Sequence, residues 1–321
     1  MNEFELIRRY FSQQPVTRSD VLVGVGDDAA VMQLPGGMQL VTTSDVLVEG
    51  VHFPPETAPA DIGYKSLAVN LSDLAAMGAE PAWFTLNLSL PEAAPEWLEG
   101  FCAGMFALAA RYQVQLVGGD TVRGPLTIGV QAHGFVPAGG ALLRSGAKAG
   151  DRVYLSGTVG DAGLGLLYLQ GELPPGDDAG ALIEKLNRPA PRVELGIALR
   201  GIASSAIDVS DGLVADLGHI LRASAVGARI SLDRVPLSPA YRARFERAEG
   251  WTLALTNGDD YELCFTVPAG KEQDIARIQQ QCFVELSWIG EIAADAGLHV
   301  VAADGSDYAV PSAGHDHFAT H

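Results

Sequence analysis

Hydrophobic spacing in the first half of the chain predicts alternating helices and strands. In residues 60–78, Leu67, Leu71 and Leu74 recur at intervals of three and four, which places them on one buried face of a helix. Residues 82–90 alternate apolar and polar side chains, as a strand with one buried face does. Helices are also expected at 3–13 and 97–112, and strands at 21–25, 29–34, 38–43, 114–117 and 126–136.

The second half repeats the plan of strand, turn and helix after a Gly-rich interruption. Residues 138–150 are mostly small and lack a hydrophobic period, which is typical of a linker. The pattern therefore predicts an α/β protein of the α+β type, with two α/β domains at 1–137 and 151–321. In the second domain, strands are expected at 152–155, 206–209, 229–232 and 264–267. Residues 166–169 are expected to form part of a helix, and further helices are expected at 191–199 and 213–223.

Composition narrows the class of protein. The chain has 321 residues, enough for two domains, and a net charge of −18. That charge repels nucleic-acid backbones and anionic membranes, so neither is expected as a partner. No charge-free apolar run is long enough for a membrane helix, and the first residues lack the features of a signal peptide. Three cysteines, Cys102, Cys264 and Cys282, are too few for a disulfide framework, so reduced thiols and a cytoplasmic location are expected.

Five short acidic motifs, each beside small or hydroxylated residues, accompany these elements. Glycines beside a carboxylate allow a tight turn and a close approach of backbone to ligand, which a solvated surface carboxylate does not need. The pattern indicates a multi-metal site that handles a nucleotide. The motifs are Gly26-Asp27-Asp28, Thr43-Ser44-Asp45, Asn70-Leu71-Ser72-Asp73, Gly118-Gly119-Asp120-Thr121 and Asp208-Val209-Ser210-Asp211-Gly212.

Taken singly, the motifs differ in specificity. Residues 43–45, expected at a strand end, offer oxygen ligands of the type that magnesium prefers, but the same residue types cap helices and turns. Asp73 alone has the pattern of an exposed helix carboxylate. The twin glycines before Asp120 are more specific. In the second half, Asp208 and Ser210 are expected on one face of a strand end, which makes this the most site-like element there.

Known phosphate-binding signatures are absent or fit poorly. Residues 24–29 match the loose G-x-G-x-x-A form, but two carboxylates in the loop would repel a pyrophosphate, and a strand follows instead of a helix. A metal-binding turn fits better and is favoured over a plain hairpin turn. No P-loop or protein-kinase motif set occurs, so phosphoryl transfer would rely mainly on metal ions. The Gly-rich segment 157–165 could cradle phosphate, but close helix–sheet packing with Asp161 as N-cap is favoured.

Two isolated side chains each have a functional and a structural interpretation. Arg144, among small residues of the linker, could reach a phosphate or lie in solvent. His52 could contact a substrate or serve the structure. The pair His315 and His317 has no third ligand nearby in sequence, so zinc is not expected.

The motifs together resemble those of the thiamine-monophosphate kinase family, within the superfamily that includes aminoimidazole ribonucleotide synthetase and selenophosphate synthetase. The resemblance covers nearly the whole chain. The segments that carry it are GVGDDAAV, TTSDVLVEGVHF, GYKSLAVNLSDLAAMGAEPAWF, LVGGDTVRGPL, LLRSGAKAGDRVYLSGTVGD, SAIDVSDGLVADLGHI, NGDDYELCFTVP and HDHFAT.

The resemblance implies an aminoimidazole ribonucleotide synthetase-like fold, dimerisation through the sheet of the N-terminal domain, and ATP with several Mg²⁺ ions bound between the domains. It implies direct transfer of the ATP γ-phosphate to thiamine monophosphate, giving thiamine diphosphate. Metal binding falls on Asp28, Thr43, Ser44, Asp45, Asp73, Asp120, Asp208 and Asp211. ATP contacts fall on Gly119, Asp120, Arg144 and Ser210, and substrate contacts on His52, Asp259 and His315.

Two positions at the thiamine end depart from the family pattern. Asp259 stands where the family usually has Glu in a G-E-D-Y-E-L run, so the carboxylate is one methylene shorter. His315 stands where the family often has another aromatic residue suited to stacking on the thiamine ring.

No protein base is assigned, because a phosphate monoester with a second pKa of about 6 is already a competent nucleophile near neutral pH. The alternatives are another ATP-using member of the superfamily, a two-metal phosphohydrolase and an acidic cation-binding protein.

Overall fold

The computed structural model describes residues 3–174, 176–244 and 250–310. The chain groups into two compact units. The first unit comprises 1–74 and 79–139, and the second comprises 75–78 and 140–321. Each combines helices with a mixed sheet, which confirms the predicted α+β class.

The first unit contains two long helices and a long-stranded sheet. Its strands are β1 (Val21–Val23), β2 (Val31–Met32), β3 (Met38–Val48), β4 (Glu80–Leu90), β5 (Gln115–Arg123) and β6 (Thr127–Pro137). Its helices are α1 (Glu3–Leu6), which continues as a π-helical turn (Ile7–Phe11), α2 (Pro59–Ala76) and α3 (Pro95–Tyr112).

Four strands form the main sheet of the first unit, in the order β3-β6-β4-β5, and β1 pairs with β2 as a separate ribbon. Only the β4–β5 pair is parallel. The inner face carries buried side chains such as Phe84, Leu86 and Val130. On the opposite, outer face, Leu40 and Val46 of β3 are about half exposed, at 49% and 53%.

Two acidic motifs lie within strands, where the sequence predicted them at strand ends. Residues 43–45 are in the middle of β3, which pairs with β6 from Met38 to Val48 without interruption. Residues 118–120 lie inside β5, which pairs with β4 as far as Arg123. Thr and Val favour extended backbone, and the neighbouring strand supplies hydrogen bonds past the glycines. The expected strand ends at 43 and 117 were therefore wrong.

Within the residues that the structure describes, the second unit is built on six strands in the order β12-β9-β11-β7-β10-β8. Among these neighbours only β9 and β12 are parallel. The strands are β7 (Arg152–Ser156), β8 (Ser205–Asp208), β9 (Gly227–Ser231), β10 (Leu263–Val267), β11 (Leu286–Ala293) and β12 (Gly297–Val301). The helices are α4 (Asp161–Leu169), α5 (Ala179–Asn187), α6 (Val193–Ala198), α7 (Leu213–Ser224), α8 (Pro239–Arg244), α9 (Gly250–Thr256) and α10 (Glu272–Cys282), with a 3₁₀ turn at Leu232–Arg234.

Helix α4 begins earlier than the sequence predicted, and Asp161 is its first residue instead of its N-cap. The Asp161 side chain is buried, where it accepts hydrogen bonds from Thr158 (2.8 Å) and Ser238 (2.5 Å) and pairs with Lys185. The Asp161 carboxylate therefore binds these side chains, whereas an N-cap would accept N–H groups of the first helical turn. The Gly-rich segment packs closely, as expected, but its neighbours are helical segments instead of the sheet: a Cβ at Gly163 would lie 2.7 Å from the side chain of Asn257, just after α9, and one at Gly165 would lie 2.4 Å from the carbonyl oxygen of Leu182 in α5.

Candidate functional site

A cavity of about 540 Å³ in the first unit brings two of the acidic motifs together. Its lining includes Asp27 and Asp28, which follow β1, and Gly119 and Asp120 of β5. Backbone hydrogen bonds orient the carboxylates locally. Asp27 accepts the N–H of Asp28 at 2.8 Å, and Asp120 accepts the N–H of Thr121 at 2.8 Å. Spacing along the chain did not reveal that these motifs share one cavity.

Gly119 is required by the local backbone. Its φ is +142°, and a Cβ on it would lie 1.8 Å from the carbonyl oxygen of Leu86 on β4. Gly118 has open space around it. The predicted close approach at the twin glycines is therefore confirmed at Gly119, where the close partner is a neighbouring strand.

Alternation along β3 divides the Thr-Ser-Asp motif between the two faces of the sheet. Thr43 and Asp45 are half-buried on the inner face, and Thr43 donates a hydrogen bond to the carboxylate of Asp73 on α2. Ser44 is exposed on the outer face, opposite Gln131 of β6. Asp73 is thus half-buried and bonded, unlike the exposed helix carboxylate that its pattern alone indicates.

His52 lies in the turn that follows β3, where its ring contributes to the local structure. The backbone N–H of Val48 donates to His52 Nδ1 at 3.0 Å, and buried Lys65 donates to the carbonyl oxygen of His52 at 3.4 Å. These contacts hold the ring beside the end of β3.

In the second unit, the acidic turn after β8 is organised by a residue that the sequence interpretation missed. Asp208 is buried at the end of β8, and Ser210 and Asp211 follow in the turn before α7. Asp216, in the first turn of α7, accepts the backbone N–H groups of 210, 211 and 212 at 3.0, 3.0 and 3.1 Å. Burial raises the pKa of Asp216 to about 7, and the three N–H donors oppose that shift.

Backbone hydrogen bonds attach the segment that contains Asp259 to the same turn. The N–H of Asp259 donates to the carbonyl of Ser210 at 2.9 Å, and the N–H of Tyr261 donates to that of Val209 at 2.8 Å. Asp259 and Tyr261 have φ of +69° and +50°, a region that non-glycine residues rarely adopt. The Tyr261 hydroxyl donates to the Asp259 carboxylate at 3.2 Å. Two motifs about 50 residues apart therefore form one local structure.

Arg144 is exposed in a segment that lies along β8 and α7. The N–H of Ala206 donates to the carbonyl of Leu143 at 2.9 Å, and Ser224 donates to that of Arg144 at 3.2 Å. Burial, Arg222 and Arg144 lower the pKa of His219, whereas Asp211 opposes them. Arg144 and Asp211 therefore both lie within electrostatic range of His219.

A cleft of about 240 Å³ beside Asp259 contains charged groups that the sequence interpretation also missed. Glu262 is buried and accepts hydrogen bonds from both Arg192 and Ser156, the latter at 2.5 Å. Asp260 accepts the N–H of Gly160 at 2.8 Å, and burial holds the pKa of its carboxyl well above the ordinary range. Alternation in the Asp-Asp-Tyr-Glu run is the only sequence signal for these inward carboxylates.

The oxygen-rich donor set fits magnesium, although no preformed cage exists in the described part of the chain. Within 3–174, 176–244 and 250–310, no three His, Cys, Asp or Glu side chains lie close enough together to hold a metal ion. Magnesium typically takes one or two carboxylates and completes its shell with water and substrate phosphates. Asp28 and Asp120 in one cavity, and Asp73 beside Thr43, meet that requirement. His315 lies outside the described residues.

Family models match both units of the chain. The AIR synthase related protein N-terminal domain matches residues 26–136, and the corresponding C-terminal domain matches residues 148–303. Thiamine-monophosphate kinase from Salmonella typhimurium is 49% identical over 321 residues, covering 99% of this chain and 98% of the relative.

Solved structures show the same similarity in three dimensions. The crystal structure of thiamine-monophosphate kinase from Stenotrophomonas maltophilia K279a has a TM-score of 0.85 at 49% identity, covering 91% of this chain and 93% of that chain. The structure of AaThiL complexed with AMPPCP and TMP has a TM-score of 0.78 at 33% identity, covering 92% of each chain. The predicted fold is confirmed by these similarities.

Proposed function

This chain belongs to the thiamine-monophosphate kinase family, and from that premise we propose that it phosphorylates thiamine monophosphate with ATP to give thiamine diphosphate. The γ-phosphoryl group passes directly from ATP to an oxygen of the substrate phosphate, ADP is the leaving group, and Mg²⁺ would be the neutralising cation. The observation that carries the proposal is the assembly of motifs remote in sequence. Asp28 and Asp120 line one cavity, and Asp259 is bonded to the turn that contains Ser210.

The first unit supplies carboxylates for the phosphate chain of the nucleotide. We assign metal binding to Asp28, Asp45, Asp73 and Asp120, together with Thr43 and Ser44. Gly119 allows β5 to approach β4 closely and so fixes the direction of Asp120. Bound magnesium would neutralise charge on the transferring phosphoryl group, which is the main requirement of such a reaction.

The second unit supplies further ligands and the substrate contacts. Asp208 and Asp211 are assigned to metal, and Ser210 and Arg144 to ATP. Contacts with thiamine monophosphate are assigned to Asp259 and His315, and to His52 of the first unit. The Tyr261 hydroxyl holds one Asp259 oxygen, which fixes the shorter carboxylate at a defined place. The cleft beside Asp259 offers room for part of the substrate.

Positioning and electrostatics are sufficient for the chemistry. The substrate phosphate attacks in its dianionic form, which is populated near neutral pH because its second pKa is about 6. In-line transfer then depends on how the two phosphates are aligned and how their charge is neutralised. The protein side chains bind, orient and exclude water, and no side-chain base is assigned.

The purified protein is expected to form thiamine diphosphate from thiamine monophosphate, ATP and magnesium. Chromatographic separation of thiamine, its monophosphate and its diphosphate measures the reaction, and chelation by EDTA is expected to abolish it. Release of phosphate from ATP without thiamine monophosphate would favour a phosphohydrolase. Metal binding without turnover would favour a cation-binding protein, and turnover of another small phosphate or carboxylate would favour a different member of the superfamily.

We also propose that the chain forms a homodimer through the outer face of the β3-β6-β4-β5 sheet. Exposed apolar side chains on one sheet face are typical of a contact surface, and Leu40, Val46 and Val122 are exposed there.

We propose that the chain is divided into an N-terminal domain at 1–137, a linker at 138–150 and a C-terminal domain at 151–321. A cytoplasmic location is consistent with the free thiols of Cys102, Cys264 and Cys282. In the described part of the chain, no helix has the length and hydropathy needed to cross a bilayer.

Leu40→Glu is expected to shift the protein from dimer to monomer, because it places a charge on the apolar surface that is proposed as the contact. Analytical ultracentrifugation over a concentration series measures the change. Leu169→Glu provides a matched control, since Leu169 is 41% exposed in the second unit and lies outside the proposed interface. A Leu40→Glu protein that dimerises like the wild type would contradict the assignment of this face.

A further inference from the structure

Asp216 combines deep burial with an unusual convergence of backbone donors. The residue is 2% exposed, in the first turn of α7. Its Oδ2 atom accepts the N–H groups of Ser210, Asp211 and Gly212 at 3.0, 3.0 and 3.1 Å. Three successive amides therefore point at one oxygen and define the path of the turn between β8 and α7.

Burial of a carboxylate is costly unless hydrogen bonds compensate for the lost hydration. Here three N–H donors and the positive end of the α7 dipole provide part of that compensation. Without the carboxylate, the three amides at the helix N-terminus would have no partner inside the protein. The turn would then rotate towards water, and the side chains of Ser210 and Asp211 would move with it.

We propose that Asp216 is the positioning residue that aims Ser210 and Asp211 at the magnesium–nucleotide complex. This role rests on the proposed function, which assigns ATP contact to Ser210 and metal binding to Asp211. Asp216 acts through the turn and does not itself contact the substrate. The same turn supports Asp259, whose N–H donates to the Ser210 carbonyl at 2.9 Å, so Asp216 also steadies the substrate contact.

The geometry also fixes how this turn recognises its ligand. Its amides point at Asp216, so they are directed away from a bound phosphate, unlike the amides of an anion-binding helix terminus. The turn offers a hydroxyl and a carboxylate instead. That pair suits a phosphate that arrives with its cation and disfavours a bare anion.

Two substitutions separate positioning from general stability. Asp216→Val removes the acceptor, whereas Asp216→Asn keeps one oxygen and loses the charge. In Asp216→Val, amide hydrogen exchange at 210–212 is expected to accelerate, and the magnesium concentration for half-maximal thiamine diphosphate formation is expected to rise by about 10- to 100-fold, as for other residues that orient ligands. Asp216→Asn is expected to show both changes to a smaller extent, because its amide oxygen is a weaker acceptor than a carboxylate oxygen.

Asp151→Asn is the matched control, because Asp151 is another buried carboxylate of the second unit. It accepts the N–H of Lys148 at 3.0 Å and the hydroxyl of Ser204 at 2.6 Å, outside the proposed site. This variant is expected to keep the wild-type magnesium response even where its melting temperature falls.

A folded Asp216→Val protein with wild-type magnesium response would overturn the proposal. If that variant does not fold, Asp216→Asn decides. Faster exchange at 210–212 with a raised magnesium requirement supports the role, and wild-type values of both overturn it. A wild-type protein that forms no thiamine diphosphate would refute the proposed function separately, and amide exchange in the variants would still show whether Asp216 holds the turn.

Discussion

Asp120→Asn is expected to lower the rate of thiamine diphosphate formation by about 100-fold or more, comparable with the loss of a group that stabilises charge in a transition state. Asparagine has the same shape and can still accept the N–H of Thr121, which Asp120 accepts at 2.8 Å. The fold is therefore preserved while one negative charge leaves the cavity that Asp120 shares with Asp28. Steady-state kinetics at several magnesium concentrations measures the effect.

The control for this substitution is Asp295→Asn, which removes an exposed carboxylate from the turn between β11 and β12. It changes the net charge equally and is expected to leave turnover and melting temperature unchanged. Turnover of Asp120→Asn within a few-fold of the wild type, with an intact fold, would mean that Asp120 is not a metal ligand in the reaction.

Gly119→Ala is expected to destabilise the first unit by about 2 to 6 kcal/mol, the sum of a backbone conformation that only glycine adopts easily and a steric overlap. At Gly119 φ is +142°, and a Cβ would lie 1.8 Å from the Leu86 carbonyl oxygen. The added methyl would force β5 away from β4 and shift Asp120. Calorimetry or denaturant unfolding measures the stability, and soluble yield reports the same effect in cells.

The neighbouring glycine provides a matched control for this prediction. A Cβ at Gly118 would meet no atom within 4 Å, and its φ lies outside the left-handed region. Gly118→Ala is therefore expected to unfold close to the wild-type temperature. Equal stability of the two alanine variants would show that the backbone of β5 adapts to a side chain at 119.

Elements with a strong local period could be predicted from the sequence, and elements fixed by distant partners could not. Helix α2 was predicted within a few residues, because Leu67, Leu71 and Leu74 repeat at helical spacing. The length of β3 was underestimated, because its second half is held by pairing with β6 about 85 residues later. The start of α4 was misplaced because the partners of Asp161 come from three separate segments, at 158, 185 and 238.

The candidate site shows the same limit. Glycines or hydroxyls beside carboxylates made Asp28, Asp120 and Asp211 candidate ligands from local sequence alone. The acidic motifs did not predict which other residues hold their turns in place. Asp216 had only the signal of an acid in the first turn of a helix, and the left-handed backbone at Tyr261 is not encoded by a residue type that favours it.

The hydrogen bond from the Val48 N–H to His52 determines which ring nitrogen of the imidazole carries the proton. Because Nδ1 accepts the Val48 N–H at 3.0 Å, the ring is in the neutral Nε2–H tautomer. Nε2 is then a donor, suited to an acceptor such as a phosphate oxygen or an unprotonated ring nitrogen. A ligand with an ammonium group at this position could not form a hydrogen bond with Nε2, because both groups are donors. One backbone amide thus makes His52 Nε2 a hydrogen-bond donor, so the ring favours ligands that present an acceptor.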